Sequence, residues 1–456
     1  MNHLHASHAL LPAGWARDVL LGWDDAGTLK QADVGVAAPP SIERADGPLL
    51  PGLPNLHSHA FQRAFAGLTE HRGEAADSFW TWRDLMYRFA LAVSPEQLEA
   101  IATRLYVEML QAGYTSVCEF HYLHHDREGQ PYAERAELAL RLAAAARRAG
   151  IGLTLLPVLY RHSGFGAKPA RADQRRFVNS VDELLRIVER LRRETDLRVG
   201  VAPHSLRAVA PDDLAALLGG LDALDASAPV HIHVAEQTQE VDDCIAWSGA
   251  RPVRWLLDHA PVDARWCLVH ATHLDVDEAA AVARSKAVVG LCPSTEANLG
   301  DGLFDVPRHL QAGGPWGIGS DSHASVDAAE ELRLLEYGQR LVRRERNVLV
   351  AGDHRQLADG LWLGAVAGGA QASGRPVGGL AVGQQADFVV LAEASLASLA
   401  PDQMLASVVF ANQRRNAIAD VWVGGRRRVQ NGRHAEDEAT QRAFVAARAQ
   451  LLSHTR

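Results

Sequence analysis

The 456-residue sequence lacks the features of several protein classes. No uncharged apolar run reaches the roughly 18 residues of a membrane-spanning helix, and no basic segment followed by an apolar stretch opens the chain. Its four cysteines have no Cys-x-x-Cys spacing. Since three of them lie in apolar strand-like runs, we expect buried thiols in a reducing compartment. The sequence therefore predicts a cytoplasmic protein without a membrane partner.

The sequence also contains fewer basic than acidic residues. Lys and Arg number 46 against 55 Asp and Glu, and the net charge is −9. This balance disfavours the extended basic surface that nucleic-acid binding requires. The basic run at 426–428 is short and is expected as a solvated turn. We expect no nucleic-acid partner, and the 47% hydrophobic content is typical of a globular protein with a large core.

A strand–helix unit recurs along the middle of the chain. Ala/Leu/Arg-rich segments such as 94–112, 133–149 and 178–194 repeat apolar residues every three or four positions, which predicts helices. "SPEQ" at 94–97 is a capping box with proline at the first helical position. Eight short apolar runs alternate with these segments and begin near residues 49, 115, 151, 197, 228, 265, 287 and 314. Eight such units predict an α/β fold, a (β/α)8 TIM barrel; a doubly wound open sheet is the alternative, but no G-x-G-x-x-G follows the first strand.

The two ends of the chain do not follow this repeat. Residues 1–48 and about 376–430 show short strand patterns interrupted by glycine, such as "ADVWVGGRRRVQNGR". We expect both ends to form one small flanking β-sandwich domain beside a barrel of residues 49–375. Residues 376–456 would supply the second part of that domain and a C-terminal helix.

Polar residues gather where the predicted strands end. The first strand ends in "HSH", the fifth in "HIHVAE", the sixth in "VHATH" and the eighth in "GSDSH". Side chains two positions apart in a strand share a face, and the carboxyl ends of barrel strands meet at the mouth where active sites are built. A single His-x-His pair is more often a polar strand end, but histidines from three strands and an aspartate from a fourth predict a metal site.

These motifs resemble those of the amidohydrolase superfamily, in its mononuclear deaminase branch. The C-terminal "GGLAVGQQADFVVL" is similar to the stretch by which those enzymes return to their flanking β-domain. Longer stretches resemble the N-formimidoyl-L-glutamate deiminases of histidine degradation: "HSHAFQRAFAGLTEHRG", "TWRDLMYRF", "LYVEMLQAGYTSVCEFHYLHHD" and "APHSLRAV". The resemblance implies hydrolysis of N-formimidoyl-L-glutamate to N-formyl-L-glutamate and ammonia.

The resemblance also implies a ligand set for one Zn²⁺ per chain, which consists of His57, His59, His233 and Asp321. Three nitrogens and one carboxylate suit zinc with a position left for water. His231 competes with His233, which the His-x-x-Glu spacing favours. A lysine-bridged metal pair is not expected, because none of the three lysines ends a middle strand.

Three residues receive catalytic roles from the resemblance. Asp321 would take a proton from the attacking water, and His270 would hydrogen-bond that water. Glu236 would deliver a proton to the departing nitrogen; alternatively, it orients a ligand histidine. His273 and His323 stay unassigned.

The substrate-binding residues implied by the resemblance are Gln62, Arg83, Tyr122, His204 and Arg207. Arginine suits the two substrate carboxylates because its guanidinium binds them bidentately. Arg207 follows a strand end, whereas Arg83 is expected in a long loop after the first strand. Alternatives are a deaminase acting on guanine, another purine or a nucleoside, and a non-catalytic barrel scaffold. A homodimer is a family expectation only, and a further metal site at His121, His124 and His125 is disfavoured.

Overall fold

The structure is a computed structural model that describes residues 1–70, 79–350, 356–391, 396, 398–411 and 417–455. The last residues of the "HSHAFQRAFAGLTEHRG" motif, 71–73, lie outside the described residues. The strands are β1 (Asn2–Leu11), β2 (Gly14–Trp23), β3 (Leu29–Asp33), β4 (Leu49–Pro51), β5 (Leu53–Ser58), β6 (Tyr114–His121), β7 (Gly152–Leu159), β8 (Arg198–Val199), β9 (Ala202–Pro203), β10 (Val230–Val234), β11 (Trp266–His270), β12 (Val288–Leu291), β13 (Trp316–Ile318), β14 (Phe388–Leu391), β15 (Ile418–Val423), β16 (Arg426–Gln430) and β17 (Arg433–His434).

Helices follow most of the parallel strands. They are α1 (Phe79–Ala92), α2 (Pro95–Gln111), α3 (Glu137–Ala149), α4 (Val181–Leu191), α5 (Pro211–Asp225), α6 (Thr238–Ser248), α7 (Pro252–His259), α8 (Val276–Ser285), α9 (Pro293–Leu299), α10 (Val306–Gln311), α11 (Ala328–Arg343), α12 (Leu357–Ser373), α13 (Pro401–Phe410) and α14 (Asp437–Thr455). Two 3₁₀-helices span Ala60–Phe65 and Ala172–Gln174. Among the described helices, none has the length and apolar character needed to cross a membrane.

The strands of the middle region form two parallel sheets. One has the order β5-β6-β7-β8, with β9 also paired to β7, and the other has the order β10-β11-β12-β13. Each of the eight predicted runs contains strand residues, and the fourth is divided into β8 and β9. Isolated parallel bridges join Val201 to Val230, Ser205 to His233 and Ser58 to Asp321. These bridges bring the carboxyl ends of the two sheets together, where the polar motifs lie.

The two ends of the chain meet in a third sheet. Its order is β17-β16-β15-β14-β4-β1-β2-β3, so β4 at the start of the predicted barrel segment 49–375 pairs between strands of the two chain ends. All pairings are antiparallel except that of β1 with β4. Trp23, Phe388 and Trp422 pack together in its core, with ring centroids 5.4 to 5.9 Å apart. The sheet therefore has an apolar core of its own beside the parallel sheets.

The predicted helix start at Ser94 is confirmed. The Ser94 hydroxyl accepts from the Gln97 backbone at 3.2 Å, and the Gln97 side chain accepts from the Ser94 backbone at 2.9 Å. The loop expected around Arg83 is wrong, because this residue lies in α1. Met86, Phe89 and Ala90 are buried at helical spacing, so one apolar face holds α1 against the core.

Candidate metal centre and active site

Four buried side chains from three strand ends converge at the carboxyl edge of the parallel sheets. Nε2 of His57 lies 3.1 Å from Nε2 of His59 and 2.9 Å from Nε2 of His233. Asp321 Oδ1 lies 3.5 Å from His57 Nε2 and 3.3 Å from His59 Nε2. One ligand atom from each residue lies within 4.8 Å of the others. The structure thus brings together the whole predicted ligand set.

The hydrogen bonds of these histidines orient their ring nitrogens. The Nδ1 of His59 donates to the carbonyl of Phe120 at 2.9 Å, and that of His233 donates to the carbonyl of His204 at 3.3 Å. Burial lowers the pKa of all three rings, that of His57 to about 3, so the imidazoles are neutral. Their Nε2 lone pairs then face one another and a carboxylate in a buried space. Such a donor set fits a divalent cation such as Zn²⁺ and is destabilising without one.

His231 takes no part in this cluster. Its Nε2 donates to the carbonyl of Ala372 at the end of α12, at 2.8 Å, and burial lowers its pKa to about 4. Its side chain therefore contacts α12, while His233 on the same strand contacts His57. His233 therefore lies with the other predicted ligands, as the His-x-x-Glu spacing indicates.

Backbone strain is concentrated at the same strand ends. Ala235, His270, Asp321 and His323 have positive φ angles between 44° and 65°, which non-glycine residues rarely adopt. Strained conformations of this kind persist where the surrounding contacts hold them, and they are frequent at functional sites. Here they turn the chain at the ends of three strands, so that the side chains next to each turn face the cluster.

Glu236 and His270 lie beside the cluster. His270 Nε2 is 3.8 Å from Glu236 Oε1 and 3.7 Å from Asp321 Oδ2, and its Nδ1 lies 3.3 Å from Glu296 Oε1. Burial raises the pKa of Glu236 to about 7. Burial disfavours the charged form of His270, but Glu236, Glu296 and Asp321 outweigh it and raise the pKa of this ring to about 10.

A cavity of about 620 Å³, including its open mouth, extends from this cluster. Its walls include every residue predicted to bind substrate: Gln62, Arg83, Tyr122, His204 and Arg207. Gln62 donates to the Tyr122 hydroxyl at 2.9 Å. The His204 ring lies between the two ends of the cavity, 5.1 Å from the His233 ring and 4.7 Å from the Tyr160 ring.

Comparison with known proteins identifies the family. Residues 49–428 match the Amidohydrolase family. The chain belongs to the amidohydrolase family. A relative from Pseudomonas aeruginosa named formimidoylglutamate deiminase is 54% identical over 458 residues, which cover 99% of this chain and 100% of the relative. The family resemblance of the sequence motifs is thereby confirmed.

Another relative and two solved structures are also similar to this chain. The 5-methylthioadenosine/S-adenosylhomocysteine deaminase of Natronomonas pharaonis is 30% identical, over 83% of this chain and 80% of the relative. Among solved structures, an amidohydrolase from Brucella melitensis is 51% identical with a TM-score of 0.94, covering 99% of this chain and 100% of that one. A zinc-bound adenosine deaminase from Xanthomonas campestris is 22% identical with a TM-score of 0.80, covering 100% and 98%.

Sequence reasoning missed the carboxylates that surround these amidohydrolase motifs. Buried Glu240 accepts from the backbone N–H groups of Ala235 and Glu236 at 3.2 and 3.3 Å, and its Oε2 lies 3.9 Å from Arg207 Nη2. Glu240 therefore holds the turn that carries Glu236 and lies beside Arg207. Glu296 could have been found from its place in the helix after the seventh strand, since it accepts from the Cys292 backbone at 2.9 Å.

A hydrogen-bond network links the loops that follow β5 and β13. Buried Glu119 accepts from the Ser58 hydroxyl at 2.6 Å, the Ala60 backbone at 2.7 Å and the Tyr106 hydroxyl at 3.1 Å. His323, which the sequence left unassigned, accepts from the His59 backbone at 3.2 Å and lies 3.0 Å from the Ser320 hydroxyl. The network therefore joins the loop after β5 to the loop after β13.

Apolar and phenolic side chains complete the cavity and were also missed. They are Trp82, Met86, Tyr87, Tyr160, Phe177 and Leu299. Tyr160 directly follows β7, so its place at a strand end was a usable signal. The helix α1 contributes Trp82, Met86 and Tyr87 to the cavity wall. Because these residues do not follow a strand, no strand-end pattern in the sequence marks them. His124 and His125 of the disfavoured histidine cluster donate to the carbonyls of Val158 and Val178.

Proposed function

We propose that this chain is a zinc-dependent hydrolase that converts N-formimidoyl-L-glutamate and water to N-formyl-L-glutamate and ammonia. The observation that carries the proposal is a cavity with a buried metal-type ligand set at one end and two arginines in its wall. A linear substrate with a formimidoyl group and two carboxylates matches that arrangement. The 54% identical formimidoylglutamate deiminase supports this substrate over a ring amine.

His57, His59, His233 and Asp321 are proposed to hold one Zn²⁺ per chain. When bound, such a metal supplies an activated water that attacks the formimidoyl carbon. Burial raises the pKa of Asp321, but its close contacts with His57, His59 and His270 outweigh this and hold it below its ordinary value. The carboxylate is therefore ionised and suited to accept a proton from the attacking water.

Two further residues handle protons in this proposal. Glu296 orients His270 through its Nδ1, so the Nε2 of His270 faces Asp321 and Glu236 and holds the attacking water in line. Glu236, with a pKa of about 7, carries a proton near neutral pH and transfers it to the departing nitrogen. The proton that Asp321 takes from water would pass to the same nitrogen, so that the carbon–nitrogen bond breaks with release of ammonia. The remaining O–H proton would return to Glu236, and the oxygen of water stays on the formyl carbon.

The two substrate carboxylates are assigned to the arginine-lined part of the cavity. Arg83 and Arg207 both line it, and Arg207 is mostly buried, with its side chain 15% exposed. Charge-assisted hydrogen bonds are stronger in such a site than in water. Gln62, Tyr122 and His204 would supply further hydrogen bonds along the substrate.

The finer architecture belongs to the same proposal. We infer that residues 49–375 form a closed (β/α)8 barrel, and that residues 1–48 and 376–456 form the flanking β-sandwich domain with the C-terminal helix. The isolated bridges between the two parallel sheets and the mixed sheet of both chain ends support this division, except that β4 (Leu49–Pro51) pairs in the mixed sheet. A homodimer and a cytoplasmic location stay predictions from the sequence.

The test is ammonia release by the purified protein from N-formimidoyl-L-glutamate, guanine and adenosine, together with metal analysis. We expect ammonia from the first substrate alone and close to one zinc per chain. His233→Ala should lose both metal and turnover, whereas His231→Gln on the same strand should keep its metal. Ammonia from a ring amine, or zinc retained by His233→Ala, would contradict the assignment.

A further inference from the structure

One buried glutamine links two phenols in the wall of the cavity. Gln174 is 1% exposed, and its amide nitrogen donates to the Tyr87 hydroxyl at 3.1 Å and to the Tyr160 hydroxyl at 2.8 Å. Its amide oxygen accepts from the Arg171 backbone at 2.9 Å. Because a backbone N–H only donates, this contact fixes which end of the amide is oxygen. Both N–H groups of Gln174 therefore point to the phenols.

At least one O–H proton of these two phenols is available to a ligand. Each phenolic oxygen accepts from Gln174, and accepting this bond does not use the proton of either hydroxyl. A phenol has one O–H to donate. When one hydroxyl donates to the other, the proton of the second remains available to a further acceptor. Both residues line the cavity, so a ligand is in reach of that proton.

Cationic groups lie near the phenols. Arg83 and Arg171 each place the guanidinium carbon 5.5 Å from the centre of the Tyr87 ring. Arg171 also pairs with Asp173, whereas Arg83 and Arg207 line the cavity together with both phenols. Guanidinium groups have no hydrogen-bond acceptor, so they leave the phenolic proton unused. An anion in the cavity could accept hydrogen bonds from a phenol and from the cavity arginines at once. A carboxylate, with two oxygens and about four acceptor positions, has the required capacity.

We propose that Tyr87 and Tyr160 bind a carboxylate of the substrate together with the cavity arginines, and that Gln174 is the positioning residue that holds both phenols in place. This inference rests on the proposed function, since it assigns the glutamate end of the same substrate. Substrate selection then depends on a neutral donor as well as on charge. The formimidoyl group lies at the metal end, beyond His204, so the phenols act on binding and leave the chemical step to Glu236, His270 and Asp321.

The test is the steady-state kinetics of ammonia release from N-formimidoyl-L-glutamate by Tyr87→Phe, Tyr160→Phe, the double variant and Gln174→Met, each with its zinc content measured. Tyr337→Phe is the matched control, because it removes the same hydroxyl from a ring that packs on Phe410 in α13, away from the cavity. A lost hydrogen bond to a charged group predicts a rise in KM of roughly 10- to 100-fold with kcat nearly unchanged. The double variant should resemble the more affected single variant, because the phenols act as one unit.

The outcomes separate this inference from the proposed function. An active wild-type enzyme whose phenylalanine variants keep the KM of Tyr337→Phe overturns the phenol assignment alone. A fall in kcat at unchanged KM also overturns it, because it would place the phenols at the reacting carbon. If the wild-type enzyme releases no ammonia from this substrate, the proposed function itself fails. Should Gln174→Met not fold, the two phenylalanine variants decide the question.

Discussion

At the scale of single residues, the site holds two carboxylates whose pKa values are shifted in opposite directions. Burial raises the pKa of Glu236 to about 7, while the imidazoles around Asp321 keep its pKa below the ordinary value despite burial. Environments that separate two pKa values in this way assign the proton donor and the proton acceptor. The two residues are close to the same ring, that of His270. Geometry alone would not have distinguished their roles.

The first prediction concerns the proton of Glu236. Glu236→Gln keeps the size of the side chain and removes the transferable proton, so kcat should fall by about 10²- to 10⁴-fold. Zinc should stay bound, because Glu236 is outside the ligand cluster. Ammonia release and metal content measured on the same sample check this. Loss of zinc from the variant would instead make Glu236 a residue that supports the ligands.

The second prediction concerns the charge of Arg207. Removing one partner of a buried charged pair costs roughly 2 to 5 kcal/mol, so Arg207→Met should lose about 30- to several-thousand-fold in kcat/KM. Zinc content should not change. Arg161→Met is the control, because Arg161 also follows a strand but pairs with Asp213 outside the cavity lining. A formimidoyl compound without the matching carboxylate should lose much less, and equal loss for both substrates would give Arg207 a structural role.

At the scale of elements, the positions of the proposed metal ligands depend on the loops that follow the strand ends. The loop after β5 carries His59, and Glu119 on the neighbouring β6 holds that loop through the Ser58 hydroxyl and the Ala60 backbone. Burial raises the pKa of Glu119 to about 7, opposed by these hydrogen bonds. Glu119 on β6 thus helps to position the proposed ligands His57 and His59 at the end of the neighbouring strand β5.

The third prediction tests that support. Glu119→Ala would leave buried donors at Ser58, Ala60 and Tyr106 without their acceptor, at a cost of about 1 to 3 kcal/mol for each unsatisfied group. We expect zinc affinity, measured by competition with a chelator, to fall about 10- to 100-fold, as for other residues that orient ligands. Glu137→Ala, which removes a carboxylate paired with Arg141 on the surface of α3, should have no such effect. Equal affinity in the two variants would remove Glu119 from the support of the metal.

At the scale of the whole molecule, the ligand cluster joins the two parallel sheets. His57 and His59 come from the end of β5, which belongs to one sheet, and His233 and Asp321 come from β10 and the loop after β13 in the other. A metal at this place would therefore add a cross-link between sheets that also meet through isolated bridges and shared apolar packing. Loss of the metal should lower the stability of the folded protein as well as its activity.

The fourth prediction follows from that cross-link. A ligand present at about 1,000 times its Kd stabilises the folded state by about 4 kcal/mol. Removal of zinc by a chelator should lower the thermal unfolding midpoint by several degrees, and added zinc should restore it. His233→Ala, measured beside the wild-type enzyme, should show no response to the chelator. A wild-type midpoint that does not respond would mean that the sheets are held without the metal.

The sequence by itself determined the elements and the reactive motifs. Strand alternation and helical periodicity are local patterns, so the eight apolar runs, the helix start at Ser94 and the strand-end histidines were all readable without the fold. The metal ligands and the substrate-binding residues could be predicted because the sequence motifs resemble those of a known family, in which such residues lie at the carboxyl edge of the parallel strands. All of them do meet there, within the residues that the structure describes.

Only the tertiary structure decided which residues support that edge. Glu119 and Ser58 are 61 positions apart, and Gln174 and Tyr87 are 87 apart, so no local pattern relates them. Arg83 was expected in a loop and lies in α1, because packing of the apolar face of this helix outweighed the weak sequence signal. The sequence favoured His233 over His231 by spacing alone, and only the structure gives the two rings different contacts, His231 with the carbonyl of Ala372 and His233 with His57. Long-range contacts are set by packing, which is why the fold was needed to find them.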